Sequence, residues 1–335
     1  MILVTGATGR LGGNVVRLLR QARAEVRCLV RMGSQYFWLN DTGAAYFFAD
    51  LREPHSLVRA TKEVTHVIHA AGIGLETSDN HHANTVLQGT CDLVDAAVDS
   101  GVQHFVMASC LAVGRGYPAS AFDCLEKAEK HLQDSGLSHT ILRCAPFAER
   151  FSDAARQLAE GRGAQLWGSG EGLLNPLSRR DAALYAMACL DHPAARDVTI
   201  EMGGPDACTA AEAMSLACER AQVDPALLRR PGAWERRVQR RTKSLVLGRR
   251  WSNYMDREGI FDSEDFTVDA TALQTQFGIQ LTSLVDAIDQ GLAEEHPSLD
   301  PTARDERVVH RQFQATVYKP GETPVDELPT GPRRY

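Results

Sequence analysis

Several features that would assign the chain to other classes of protein are missing from the sequence. No apolar run reaches the length of about eighteen residues that a membrane-spanning helix needs. The eight cysteines include no pair at CxxC spacing, so we expect reduced packing residues and no metal site. A net charge of −7 argues against a uniformly basic protein that coats nucleic acid. These absences favour a cytoplasmic globular protein with a sizeable core.

The chain instead alternates short apolar runs with segments of helical spacing. Strands are predicted at 2–5, 26–30, 45–48, 66–70, 104–108, 140–143 and 198–202. This alternation predicts an α/β fold, a Rossmann-like doubly wound parallel sheet over residues 1–203. Residues 204–296 should form a smaller, mostly helical cap to which 148–176 contribute. The polar, proline-punctuated residues 297–335 are expected to be an extended tail.

The motif with the clearest chemistry is TGATGRLG at residues 5–12, which joins the first strand to the first helix. Glycines there allow a tight turn and a close approach of the backbone to a pyrophosphate, which meets the free N–H groups of the helix. The alternative is a turn that only packs a helix on a strand. The predicted cofactor-binding residues of this turn are Gly6, Thr8, Gly9, Arg10, Leu11 and Gly12.

The end of the second predicted strand indicates which dinucleotide is bound. A carboxylate at that point accepts a hydrogen bond from the ribose of NAD, whereas an arginine suits the 2′-phosphate of NADP. The sequence has Arg31 there, and no acidic residue follows it until Asp41. We therefore expect NADP(H) to be favoured over NAD(H), with Arg10 as a second cation. The alternative is that Arg31 is a solvated strand-end residue.

Two further strand ends carry residues that suit a dinucleotide. Asp50 follows the third strand and can accept from the adenine amino group, with Leu51 covering the ring. Ala70, Ala71 and Gly72 end the fourth strand, where small side chains let a cofactor ribose pass over the sheet edge.

These residues resemble the short-chain dehydrogenase/reductase superfamily. Residues 129–143, followed by Pro146 and Phe147, are similar to its atypical, NmrA-like branch. Within this branch, the long helical C-terminal region and residues 277–279 before the last helix resemble cyanobacterial and plastid proteins linked to photosystem II assembly. The resemblance implies an NAD(P)-binding fold and adds Pro146 and Phe147 to the cofactor-binding residues. The assembly-factor branch would imply a peripheral location at the thylakoid membrane.

The sequence departs from the resemblance at the catalytic positions. Reductases of the family use a Ser together with a Tyr and a Lys four residues apart, because the lysine lowers the tyrosine pKa. Tyr117 is followed four residues later by Ala121, and the lysine position counted from Glu129 falls on Leu125. Cys110 occupies the serine position. We therefore predict no standard catalytic residues.

A different proton donor would have to come from a short set of residues, each of which also has an interpretation as a packing or loop residue. The candidates are Tyr117, Cys110, His69 and the pair His81 and His82.

The charge of the chain is unevenly distributed. Residues 229–257 contain ten Lys or Arg and two acids, about +8, which leaves about −15 elsewhere. Trp234, Val238, Leu245 and Trp251 interrupt the charges, so an amphipathic helix could meet an anionic membrane surface or a protein partner. The alternative is a solvated helix whose arginine stems cover apolar surface. No nucleic-acid recognition motif accompanies the segment, so nucleic acid is not an expected partner.

Two functions remain open from the sequence. The first is a nucleotide-sensing assembly or regulatory factor without Tyr–Lys catalysis. The second is an NADPH-dependent oxidoreductase or isomerase that acts on a small molecule through a non-standard proton donor.

Overall fold

The structure is a computed structural model. It describes residues 1–294 except 75, 233, 239–241 and 243–248, with the backbone alone for 249–252. The predicted tail and three of the ten basic residues in 229–257 lie outside these described residues.

Parallel strands form the centre of the molecule. In chain order the strands are β1 (Ile2–Thr5), β2 (Val26–Val30), β3 (Ala45–Phe48), β4 (His66–His69), β5 (His104–Cys110), β6 (His139–Cys144), β7 (Leu173–Leu174), β8 (Val198–Met202) and β9 (Cys208–Thr209). Seven of them form one parallel sheet in the order β3-β2-β1-β4-β5-β6-β8, and β7 pairs with β9 in an antiparallel ribbon. The strand order reverses between β1 and β4, which opens a crevice at the carboxyl ends.

Helices cover both faces of this sheet. They are α1 (Arg10–Gln21), α2 (Pro54–Ala60), α3 (Gly89–Asp99), α4 (Ser120–Asp134), α5 (Glu149–Ala159), α6 (Arg179–Ala188), α7 (Ala210–Arg220), α8 (Arg249–Phe261), α9 (Thr271–Phe277) and α10 (Leu284–Ala293). Short 3-10 turns lie at Phe37–Thr42, Pro193–Ala195 and Pro225–Leu227. A π-helical turn, His82–Gln88, leads into α3.

Both faces of the sheet are buried because adjacent residues on the central strands are apolar. Leu3 and Phe105 belong to the core beneath α2, α3 and α4, whereas their neighbours Val4 and Val106 belong to the core beneath α1 and α6. Glycines in the left-handed conformation follow α3 and α4, since Gly101 and Gly136 have φ values of +70° and +77°. The doubly wound Rossmann-like fold is therefore confirmed.

Later segments pack on the second of these cores. The core beneath α1 and α6 continues through α5 and α7 into α10. The backbone N–H groups of Trp167 and Gly168 donate to Asp262, just beyond α8, at 2.7 and 3.3 Å. The helical C-terminal region thus shares its core with one face of the sheet. No described helix combines the length and the hydropathy needed to cross a membrane, and all eight cysteines are free.

Candidate functional site

The glycine turn after β1 has no room for side chains. Gly6 has a left-handed φ of +66°, and a Cβ there would lie 2.5 Å from the carbonyl oxygen of Ala70. A Cβ on Gly12 would lie 2.2 Å from the carbonyl oxygen of Gly6. The N–H of Gly9 donates to that same oxygen at 2.8 Å. The turn therefore needs glycine to pass over the end of β4 and fold back on itself.

The start of α1, like those of α2 and α9, leaves its backbone N–H groups without a side-chain cap. It has no side-chain cap and no acidic residue in its first turn. By contrast, α6, α7 and α10 each begin with a side chain that accepts a backbone N–H, from Ser178, Thr209 and Ser283. A helix that begins with free N–H groups beside a glycine turn fits a pyrophosphate.

A first cleft, which we name the Arg31 cleft, lies on the β2–β3 side of the point where the strand order reverses. Its volume is about 530 Å³, and its lining includes Arg31, Phe48, Asp50, Arg52, Thr77 and Asp79. Arg31 is exposed directly after β2, the position predicted for a contact with a 2′-phosphate.

The two arginines of the Arg31 cleft differ in their contacts: Arg52 binds carboxylates of the cleft, whereas Arg31 does not. Arg52 donates to both carboxylate oxygens of Asp50, from Nε at 3.0 Å and Nη2 at 2.6 Å, and also contacts Asp79. Burial raises the pKa of Asp50, but the hydrogen bonds from Arg52 outweigh it and hold that pKa below its usual range. The guanidinium of Arg31 forms no hydrogen bond or ion pair within the described part of the chain, although its charge also lowers the pKa of Asp50, and it is therefore available to an anion.

Two predicted contacts are placed differently from expectation. The guanidinium of Arg10 pairs with Asp153 on α5, which also contacts Arg156 and Arg179. Arg10 does not line the Arg31 cleft, and its role as a second cation for the 2′-phosphate stays a prediction. Leu51 is 6% exposed and packs in the core, which leaves little of its side chain to cover an adenine ring.

A second cleft, the β4–β6 cleft, lies at the carboxyl ends of those three strands and has a volume of about 430 Å³. It brings together six of the predicted residues, namely Leu11, Ala70, Ala71, Gly72, Pro146 and Phe147. The two clefts thus lie on opposite sides of the switch point, where this fold class binds dinucleotides.

The wall that α4 contributes to the β4–β6 cleft is apolar. Ala121, Phe122 and Leu125 line the cleft. Ala121 and Leu125 are one helical turn apart, the spacing at which a Tyr–Lys pair would face a substrate. Neither side chain can transfer a proton.

The serine and cysteine at the end of β5 do not replace that pair. The hydroxyl of Ser109 donates to the buried carboxylate of Glu129, which also accepts from Arg143 Nη2 at 2.6 Å. Cys110 lines the cleft, but burial raises the pKa of its thiol to about 11, so it is neutral near pH 7. A neutral thiol is a weak donor.

Two of the candidate proton donors are placed outside the β4–β6 cleft. Tyr117 lines a separate cavity and packs its ring 5.7 Å from that of Phe266. His69 is buried with one ring nitrogen 2.6 Å from Thr5 Oγ1 and the other 2.9 Å from Thr90 Oγ1. Burial lowers the pKa of His69 to about 4, so this histidine has a structural role.

His82 does line the β4–β6 cleft, and its Nδ1 lies 2.9 Å from a carboxylate oxygen of Glu76. Of these two residues, only His82 was a candidate from the sequence. Three further side chains of the cleft were not predicted either: Arg150 from α5, and Arg257 and Phe261 from α8. No local pattern marks these side chains, since α5 and α8 reach the cleft only through tertiary packing.

The family can now be stated. A profile described as NAD(P)H-binding matches residues 6–193, the segment that holds the glycine turn, the Arg31 cleft and most of the lining of the β4–β6 cleft. The chain belongs to this family of NmrA-like, atypical short-chain dehydrogenases/reductases. The predicted family is therefore confirmed.

Known proteins similar to this chain include enzymes and assembly factors. The chain is 30% identical to an NAD(P)H azoreductase of Xenophilus azovorans, over 63% of this chain and 71% of the relative. It is 31% identical to the photosystem II assembly factor Ycf39 of Guillardia theta, over 65% and 69%. Among solved structures, the NADPH complex of the quinone oxidoreductase QOR2 of Escherichia coli has a TM-score of 0.66 at 20% identity, over 87% of this chain and 99% of that one.

Proposed function

We propose that the protein is an oxidoreductase that uses NAD(P)H, with NADPH preferred, to reduce a conjugated acceptor such as a quinone or an azo compound. The observation that carries this proposal is the β4–β6 cleft, which has aromatic side chains from three elements: Phe122, Phe147 and Phe261. Flat conjugated molecules pack well between aromatic rings. The printed functions of the azoreductase and quinone oxidoreductase relatives support the same chemistry.

The cofactor would be held across both clefts. The turn from Gly6 to Gly12 would bind its phosphates through backbone N–H groups, and Arg31 would bind a 2′-phosphate. Ala70, Ala71 and Gly72 would leave room for the nicotinamide ribose beside the β4–β6 cleft. The nicotinamide, when bound, supplies a hydride.

A conjugated acceptor also suits the apolar face of α4. Hydride addition to a simple ketone leaves a localised alkoxide, which needs a strong proton donor such as the family Tyr–Lys pair. Addition to a quinone leaves a delocalised anion, which is a weaker base. The absence of a proton donor at Ala121 and Leu125 is therefore tolerable for conjugated acceptors.

The test is NADPH consumption by the purified protein with a naphthoquinone, an azo dye and an aliphatic ketone as the control. We expect turnover with the first two acceptors, faster with NADPH than with NADH, and little turnover with the ketone. Bound NADPH that none of the acceptors oxidises, or turnover of the ketone alone, would contradict the proposal.

A second candidate, a nucleotide-dependent assembly factor, is favoured by a different surface. Trp234 is 76% exposed, and Val238 one turn later is also exposed. Arg236 and Arg237 lie between them, within the basic segment 229–257. An exposed tryptophan among arginines fits an anionic membrane surface.

That candidate is tested by co-sedimentation with vesicles of phosphatidylglycerol, with phosphatidylcholine vesicles as the control. Trp234→Ser should reduce sedimentation with the anionic vesicles. Equal sedimentation of wild type and variant with both lipids would show that the segment is only a solvated face.

A further inference from the structure

The ring of His82 is held by a carboxylate that is itself fixed. Glu76 Oε1 accepts from the backbone N–H of His82 and lies 2.9 Å from its Nδ1, and Asn253 Nδ2 on α8 donates to Glu76 Oε2 at 2.9 Å. The side chains of His82 and Glu76 are 5% and 9% exposed. Since an ionised carboxylate only accepts hydrogen bonds, Nδ1 must carry a proton.

The other ring nitrogen of His82, Nε2, makes no hydrogen bond to Glu76. Nε2 is buried and has no hydrogen-bond partner within the described residues, although His82 lines the β4–β6 cleft. A buried polar atom without a partner is unusual in a folded protein and calls for an explanation. A polar atom of a ligand in the cleft would satisfy it.

Two other buried histidines, His69 and His104, differ from His82 in this respect, whereas the Nδ1 atom of the neighbouring His81 is likewise buried without a hydrogen-bond partner among the described residues. Both ring nitrogens of His69 are paired with threonine hydroxyls, as described above. Both ring nitrogens of His104 are likewise paired, with Ser138 and Thr140. His82 alone among these four lines the cleft, and it begins a π-helical turn, a feature that often accompanies functional sites.

We propose that His82, positioned by Glu76, is the proton-transfer residue of the β4–β6 cleft and binds the carbonyl oxygen or azo nitrogen of the acceptor at Nε2. This inference rests on the proposed reductase function and names its proton donor. Glu76 acts through His82 as a positioning residue.

Reduction of a C=O or N=N acceptor with NAD(P)H requires one hydride and one proton. When the double bond accepts a hydride, its π bond breaks and leaves an electron pair on the far oxygen or nitrogen. That atom takes the Nε2 proton of the imidazolium and becomes O–H or N–H. His82 is left as the neutral imidazole with Nδ1–H on Glu76, and water restores the proton.

The pH dependence follows from the groups that face His82. Burial lowers its pKa, Glu76 raises it, and Arg257 from α8 and the neighbouring His81 lower it, with a net decrease. Because the protonated form is the donor, the rate of reduction should fall as the pH rises through this lowered pKa. Glu76→Gln removes the contribution that raises the pKa and should move the profile to lower pH.

The first experiment does not depend on turnover. In the full chain labelled with ¹⁵N-histidine, NMR spectra without cofactor should show His82 near neutral pH with Nδ1 protonated and Nε2 unprotonated. Adding 2-naphthol, a non-reducible probe with an O–H donor, should shift the Nε2 resonance of His82. A Nε2 resonance that 2-naphthol leaves unchanged, or a ring protonated on Nε2 alone, would overturn the proposal.

The second experiment uses a matched control pair outside the cleft. His131 lies 2.7 Å from Asp95 in the same kind of imidazole–carboxylate contact, on the surface. His82→Asn should lower kcat for naphthoquinone about 100-fold and abolish the fall in rate with rising pH, with the Kd for NADPH unchanged. His131→Asn should change neither. His82→Gln serves as the second variant if His82→Asn melts at a lower temperature.

The two proposals fail differently. If the wild type reduces no conjugated acceptor, the proposed function fails, while the NMR response to 2-naphthol still decides whether Nε2 binds a donor. If the wild type reduces naphthoquinone and His82→Asn keeps both the rate and the pH profile, the function stands and the role of His82 is wrong.

Discussion

The two sides of the crevice are built in different ways. On the β1–β3 side, a short stretch of consecutive residues makes the phosphate turn, and its contacts are made by backbone atoms at Gly6 and Gly12. On the β4–β6 side, walls from the π-helical turn, α4, α5 and α8 enclose the cleft with side chains. The comparison teaches that the nucleotide-binding half depends on local backbone geometry, whereas the reacting half depends on side chains brought together by the whole fold.

The largest effect on NADPH binding is expected from a substitution in the glycine turn of the β1–β3 side. Gly12→Val would place a side chain within 2.2 Å of a carbonyl oxygen, so the turn must deform. We expect NADPH binding, measured by fluorescence titration, to weaken about 100-fold or more. Gly163→Val is the matched control, because an added Cβ at 163 meets no atom within 4 Å. Unchanged NADPH affinity in Gly12→Val would break the distinction between the two sides.

A smaller effect is expected at the charged end of the same side. Arg31→Ala removes a guanidinium that forms no hydrogen bond or ion pair in the described chain, so the loss should be confined to the 2′-phosphate. We expect NADPH binding to weaken about 20-fold while NADH binding stays the same. Arg180→Ala, an exposed arginine at the start of α6, controls for loss of a positive charge. Equal weakening for both nucleotides would refute the assignment of the 2′-phosphate to Arg31.

The smallest effect is expected at the end of β5. Burial keeps the thiol of Cys110 neutral, with a pKa of about 11, and the proposed proton donor is His82. Cys110→Ala should therefore change kcat for naphthoquinone less than about threefold. A much larger loss of kcat, with the melting temperature unchanged, would move the chemistry from His82 to the cysteine.

The same contrast explains what could be predicted from the sequence. The glycine turn and Arg31 were identified because their roles follow from neighbouring residues and from a strand end. The partner of Arg10 was missed, since Asp153 lies 143 residues away in the chain. Tyr117 was a reasonable proton donor by residue type, but packing against Phe266 places it in another cavity.

The contacts of the pair His82 and Glu76 are partly local and partly long-range in the sequence. His82 and Glu76 are six residues apart, so their contact is local, yet Glu76 is also held by Asn253, 177 residues away. His82 could be proposed as a candidate from the sequence. The π-helical turn and the packing of α8 decide which of its ring nitrogens has no hydrogen-bond partner among the described residues. Such information comes from tertiary structure alone.

The most direct measurement is a crystal structure of the complex with NADPH. The structure should show the pyrophosphate on the turn from Gly6 to Gly12, the 2′-phosphate within hydrogen-bond distance of Arg31, and the nicotinamide bordering the β4–β6 cleft that contains His82. A nicotinamide in the Arg31 cleft, or a 2′-phosphate without contact to Arg31, would contradict the division of the crevice into a nucleotide-binding half and a reacting half.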